Sequence, residues 1–138
     1  MRMPAIAAIV SLTSVALAAL TPAMAHHSFA AYDMSKTLKA EGTVKVFRWG
    51  APHATVVMVS KDNKGKAVEM AILTGSPAEF ARQGIAPRDI RPGDRATVVY
   101  HPNGNGKPGG VMASMTLADG KTFASGEAAS ATGSSVRQ

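Results

Sequence analysis

The 138-residue chain contains no cysteine. It can form no disulfide, offers no thiolate to a metal or a substrate, and has no acceptor for lipid attachment. Aromatic residues are scarce, with one Trp, two Tyr and four Phe. No Gly-x-Ser-x-Gly elbow occurs, and the glycines from Gly104 to Gly110 are followed by no helical pattern that would make them a phosphate cradle. Acidic residues are few, 9 against 15 Lys and Arg. Glu41, Glu69, Asp89 and Asp94 stand scattered beside turns and charges, at spacings that pair none of them. Thiol, serine-elbow and phosphate-loop chemistry are therefore excluded, and the expectation is a domain that is not an enzyme.

What is present begins with an address. Arg2 is the only charge before an apolar run from Ile6 to Leu20, and Pro22 and Ala23-Met24-Ala25 follow. A basic start, an apolar core and small residues at the A-x-A positions are the parts of a cleavable signal peptide. We expect residues 1–25 to be the leader, the mature protein to be periplasmic or secreted, and no span to remain in the membrane after cleavage. An uncleaved anchor helix is the alternative. Without Arg2, 14 basic residues remain against 9 acidic ones, a mature charge near +5 with histidines neutral. Such an excess suits acidic partners or anionic lipid, and suits a plain solvated surface equally well.

Between Thr37 and Phe123 the apolar residues alternate in short runs divided by turns, the signature of strands. Strands are expected over Thr37–Trp49, Ala54–Lys61, Lys66–Leu73, Arg95–His101 and Gly110–Leu117. Gly42 would let the long first strand bend. Asp62-Asn63-Lys64-Gly65 forms a hairpin turn, and Ala118-Asp119-Gly120-Lys121 turns the chain toward Phe123. Ser76-Pro77-Ala78-Glu79 carries a capping serine, a proline at the first helical position and a glutamate at the third, so a helix of about two turns is expected before Gly84. Three strands, a short helix and two strands give an all-β class and the element order of a small five-stranded OB-fold-like barrel. The domains are thus expected as an N-terminal segment at 26–36, a barrel at 37–123 and a disordered tail at 124–138, which is Ala-, Ser- and Gly-rich.

Barrels of this order bind ligands on strands two and three and in the first-to-second and fourth-to-fifth loops. Those loops carry Pro52-His53 and His101-Pro102, and His26-His27 follow the expected cleavage point. After cleavage at Ala25 the α-amine of His26, with a pKa near ~8, can deprotonate and chelate together with its own imidazole. One imidazole from His53 or His101 would complete a nitrogen set suited to Cu(II), with His27 in reserve. Surface or turn histidines are the plain alternative. Met58, Met70 and Met112 are expected in the core, and Met115, of opposite parity to Met112, on the outer face. Phe47 and Trp49 share one face of the first strand, as a partner surface or as packing. Strands two and three hold no aromatic residue for base stacking, which argues against nucleic acid. Three readings stay open: a metal-binding accessory protein of the periplasm, with copper preferred; a metal-free interaction module that engages an exported or membrane protein or a small ligand; and, a distant last, an enzyme acting on an acidic or envelope substrate.

The chain resembles a family of small exported bacterial proteins of unknown function. The residues that carry the resemblance are His26-His27-Ser28-Phe29-Ala30-Ala31-Tyr32-Asp33, Gly42-Thr43-Val44, Trp49 with Pro52-His53, Gly75-Ser76-Pro77, Arg91-Pro92-Gly93-Asp94 and Leu117-Ala118-Asp119-Gly120. The resemblance implies a short periplasmic barrel and supplies no activity. One departure stands out: Ala51 precedes Pro52-His53, and Ala54-Thr55 follow, where the family carries asparagine before the proline and a bulky residue after the histidine.

Overall fold

The computed structural model describes residues 29–126 and residue 128. The expected leader, His26 and His27 lie outside the described residues. The alternating segments form strands β1 (Leu38–Arg48), β2 (Thr55–Lys61) and β3 (Ala67–Leu73), an antiparallel meander. Asp62 makes the β2–β3 turn by accepting the Lys64 and Lys66 amides on one carboxylate oxygen. Helix α1 (Pro77–Arg82) starts where the serine-proline pair places it, and the Ser76 hydroxyl accepts the Glu79 amide at 3.2 Å. A 3-10 turn at Pro87–Asp89, unforeseen in the sequence, follows. Strands β4 (Arg95–Pro102), β5 (Gly109–Leu117) and the short β6 (Thr122–Ala124) complete the described elements.

β1 pairs with both β2 and β4, β4 with β5, and β3 runs parallel to β5 through Ala71↔Gly109 to Leu73↔Val111. That last pairing closes a five-stranded barrel, with the helix between the third and fourth strands, as the element order implied. β6 lies outside the ring, paired with β5 alone. Its other edge meets Gln83, whose side-chain amide accepts the Ala124 N–H at 3.0 Å and donates to the Ala124 carbonyl at 2.8 Å. One side chain so occupies a backbone edge that would otherwise be open to pairing.

The core is aliphatic and methionine-rich: Val44, Val56, Met58, Ile72, Val98 and Met112 are at most 1% exposed. Met115 is also fully buried, against the outward orientation its parity suggested. The cause is a bulge. Val99 pairs with Ser114 but Tyr100 pairs with Met112, so Ala113 is the extra residue and the side-chain alternation resets between the two methionines. A similar irregularity falls at Lys45 in β1, between Val44 and Val46. At Gly42 the two strands come so close that a Cβ would strike the Val59 carbonyl. Packing also continues past Phe123, where a structureless tail was expected. Ser125 is 2% exposed, Ala128 is fully buried, and the Gly126 amide donates to the Glu79 carboxylate. Ser125 and Ala128 are small, need little room and gain burial although neither is strongly hydrophobic.

The stretch from Phe29 to Lys36 is stitched to the end of β4. The Asp33 amide donates to the Pro102 carbonyl at 2.8 Å, the Gly104 amide to the Ala31 carbonyl at 2.8 Å, and Tyr32 forms a bridge with Asn103. The Lys36 side chain and the Ser35 hydroxyl hold Asp33 down to about 2, against an ordinary value of 3.8. A lowered carboxylate contributes above its ordinary pKa and is lost as pH falls through the lowered value. An NMR titration of the Asp33 carboxyl is therefore expected to have its midpoint near 2, and Lys36→Ala to raise it. A midpoint at 3.8 in the unaltered chain would contradict the ion pair.

Candidate binding groove

The ladder alternation shows which backbone groups of the barrel have no neighbour. The Asp62 amide donates to the Lys66 carbonyl, and the Thr74 amide to the Ala54 carbonyl, so even-numbered residues of β3 bond to β2. Ala67, Glu69, Ala71 and Leu73 must then point their N–H and C=O groups away from β2. Ala71 and Leu73 lie in the stretch paired with β5. Ala67 and Glu69 lie beyond it, and the residue that would extend the ladder toward them is Pro108, which has no N–H to give.

β1 follows the same rule. The Val44 amide donates to the Asp94 carbonyl and the Gly93 amide to the Val44 carbonyl, so Leu38 and Ala40 bond to β4 while Lys39 and Glu41 face the side of β2. Pairing with β2 begins only at Gly42↔Ser60, and the Glu41 carbonyl is taken by the Ser60 hydroxyl at 2.7 Å. Lys39 lies beyond that point. β2 turns away at Asp62, before it could cover this part of β1.

A groove of 1030 Å³ opens at this end of the barrel, along Leu38–Thr43 on one bank and Ala67, Val68 and Met70 on the other. Its floor is apolar: Met70 and Tyr100 are buried, and Ala40 and Val68 are half-buried against the core. Burial pushes the Tyr100 phenol up, so it stays neutral beneath the groove. The exposed large hydrophobic residues of the described chain are Leu38, 43% exposed, and Val59, 38%, and both border this groove. Lys39, Lys61 and Arg95 border it too, with Glu41 and Asp62. Both acids are engaged: Glu41 lies 3.5 Å from Lys39, and Asp62 serves its own turn.

His53, His101, Phe47 and Trp49, singled out in the sequence, sit elsewhere. His53 is half-buried in the β1–β2 loop, after a cis Ala51–Pro52 bond. His101 is 5% exposed near the end of β4, its Nδ1 2.8 Å from the Lys36 carbonyl. A carbonyl only accepts, so Nδ1 carries the proton and Nε2 the lone pair. The two histidines are not adjacent: Thr55 pairs with Leu73, Leu73 with Val111 and Val111 with His101, three strand spacings or about 14 Å along the wall. Among the described residues no three His, Asp or Glu converge as a metal site. Phe47 and Trp49 pack with Phe80 and Phe123 in a four-ring cluster around α1. The packing use of this pair is thus the one the fold displays, although both rings are only half-buried.

The sequence reading missed Leu38, Val59 and the open edges. Pro108 immediately before Gly109-Gly110 was the available signal, since a proline ahead of a strand marks where its ladder must stop. Among the described residues no helix is long and apolar enough to cross a membrane. No curated protein matches the chain. Residues 12–113 match the family described as a family of unknown function, DUF6152, and over that span, most of its length, the chain belongs to this family.

Proposed function

We propose that the chain is an exported binding module, without catalytic activity, that takes its ligand or protein partner in the groove between β1 and β3. The observation that carries this reading is the placement of Leu38 and Val59, the exposed large hydrophobic residues, on the rim of one groove with an apolar floor. Exposed apolar surface rimmed by polar groups is what recognition sites present. Screening the mature chain by amide NMR against small amphipathic molecules and short peptides tests it. Hits should shift residues 38–43, 59–63 and 67–70, and Ala40→Trp, which fills the floor, should abolish those shifts. Hits that gather instead at 50–54 or 101–106 would overturn the reading.

A second reading places Cu(II) at the mature amino terminus. Two observations favour it: residues 31–33 are hydrogen-bonded to 102–104, next to His101, and the His101 ring spends Nδ1, not Nε2, on the Lys36 carbonyl. Donation of the other ring nitrogen to a carbonyl is how ligating histidines are commonly oriented. With cleavage after Ala25, the α-amine and imidazole of His26 would join it, with His27 or His53 as the further candidates. Copper titrated into the native-terminus chain should bind one equivalent. A form extended by one residue should bind at least tenfold more weakly. Equal affinity removes the amine from the site, and absence of stoichiometric binding ends the copper reading.

A further inference from the structure

We infer that the groove docks an extended, acidic polypeptide segment of another protein, which lies along β1 in the line that β2 leaves at Asp62. The inference rests on the groove being the binding site. Three features select this occupant. The first is backbone: Lys39 on one bank and Ala67 and Glu69 on the other present N–H and C=O groups beyond the ends of their ladders, and an extended chain is what such edges accept.

The second is charge. Lys61, Arg95 and Lys39 border the groove, Lys66 adjoins Ala67, and Lys107 adjoins Pro108. Against them stand Glu41, which cancels Lys39, and Asp62, whose carboxylate keeps its charge while accepting its turn amides, so the excess rests on Lys61, Arg95, Lys66 and Lys107. Glu69 is occupied by Lys45. The rim therefore has positive charge in excess and suits carboxylates on the occupant.

The third feature weighs against the chain's own ends. Residues 1–28 and 129–138 contain no Asp or Glu. They lack the charge that an acidic occupant carries, which favours a segment of a different molecule. Side chains of an extended segment alternate, and one set facing the floor at Ala40, Val68 and Tyr100 would be apolar while the other meets the lysines.

The test uses the 15N-labelled mature chain and an acetylated, amidated octapeptide of alternating glutamate and valine. Binding is expected to shift the amides of residues 38–43 and 67–70. A lysine-for-glutamate version should bind at least tenfold more weakly, and Lys61→Glu with Lys107→Glu should weaken the acidic peptide by a similar factor. Because an added strand uses one edge, methylating alternate peptide nitrogens should weaken binding at least tenfold in one register and leave the other unchanged. The lysine peptide binding as well as the acidic one would overturn the proposal, as would both methylated registers binding like the parent. Shifts in the groove produced only by phosphatidylglycerol vesicles would also overturn it, while leaving the groove as the binding site. No shift there with any probe would overturn both.

Discussion

Phe80→Ala is expected to destabilise the domain by about 3–5 kcal/mol, the cost typical of emptying a buried aromatic site. Phe80 is 1% exposed, and its ring centroid lies 5.1 Å from Phe123, 5.6 Å from Trp49 and 5.9 Å from Phe47. It is the ring that all three others touch, so its loss leaves a void between α1, β1 and β6. With no disulfide to hold the chain, the domain depends on its core, and small domains have only about 5–15 kcal/mol in total. Urea unfolding followed by Trp49 fluorescence measures the change directly. A loss under about 1 kcal/mol would mean the cluster collapses around the gap and is not a packing centre.

Gly109→Ala is expected to open the barrel where β3 meets β5. Gly109 has φ +114°, a conformation L residues rarely adopt, and a Cβ there would overlap the Ala71 carbonyl oxygen of β3. Backbone strain of this kind costs about 1–3 kcal/mol by itself, and the overlap adds to it. Gly106→Ala is the control: φ is +77° with nothing within 4 Å, so only the left-handed backbone is penalised, by about 1–2 kcal/mol. The Gly109 variant should lose more stability than the Gly106 variant and should lose amide protection first at Ala71 and Leu73. Equal losses in the two variants would show that the parallel seam is not under steric control.

The element types were legible because each rests on local chemistry. Alternation marked the strands, Asp62 marked its turn, and Ser76, Pro77 and Glu79 marked the helix start within a residue. Met115 was misjudged because a bulge is a property of two strands together: nothing within Gly109–Leu117 announces that Ala113 has no opposite residue. The start of the expected tail differs from the reading only at its described residues: Ser125 and Ala128 are buried by what surrounds them and not by their own hydrophobicity. The groove was invisible for a related reason. Leu38 and Val59 read as ordinary strand residues, and they become a site only when the parallel seam ends at Gly109 and β2 ends at Lys61. The histidine loops show how coarse a pole is as a location, since loops assigned to one pole still differ by three strand spacings around the wall.

Residue-resolved amide exchange on residues 26–138 without ligand tests the open edges most directly. Lys39, Ala67 and Glu69 should exchange fast. Their neighbours Ala40, Val68 and Met70, bonded to β4 or β2, should be protected, which gives a sawtooth along each bank of the groove. Equal protection at Lys39, Ala67 and Glu69 and at those neighbours would mean that another part of the chain already covers the edges, and would contradict the groove as a free docking site.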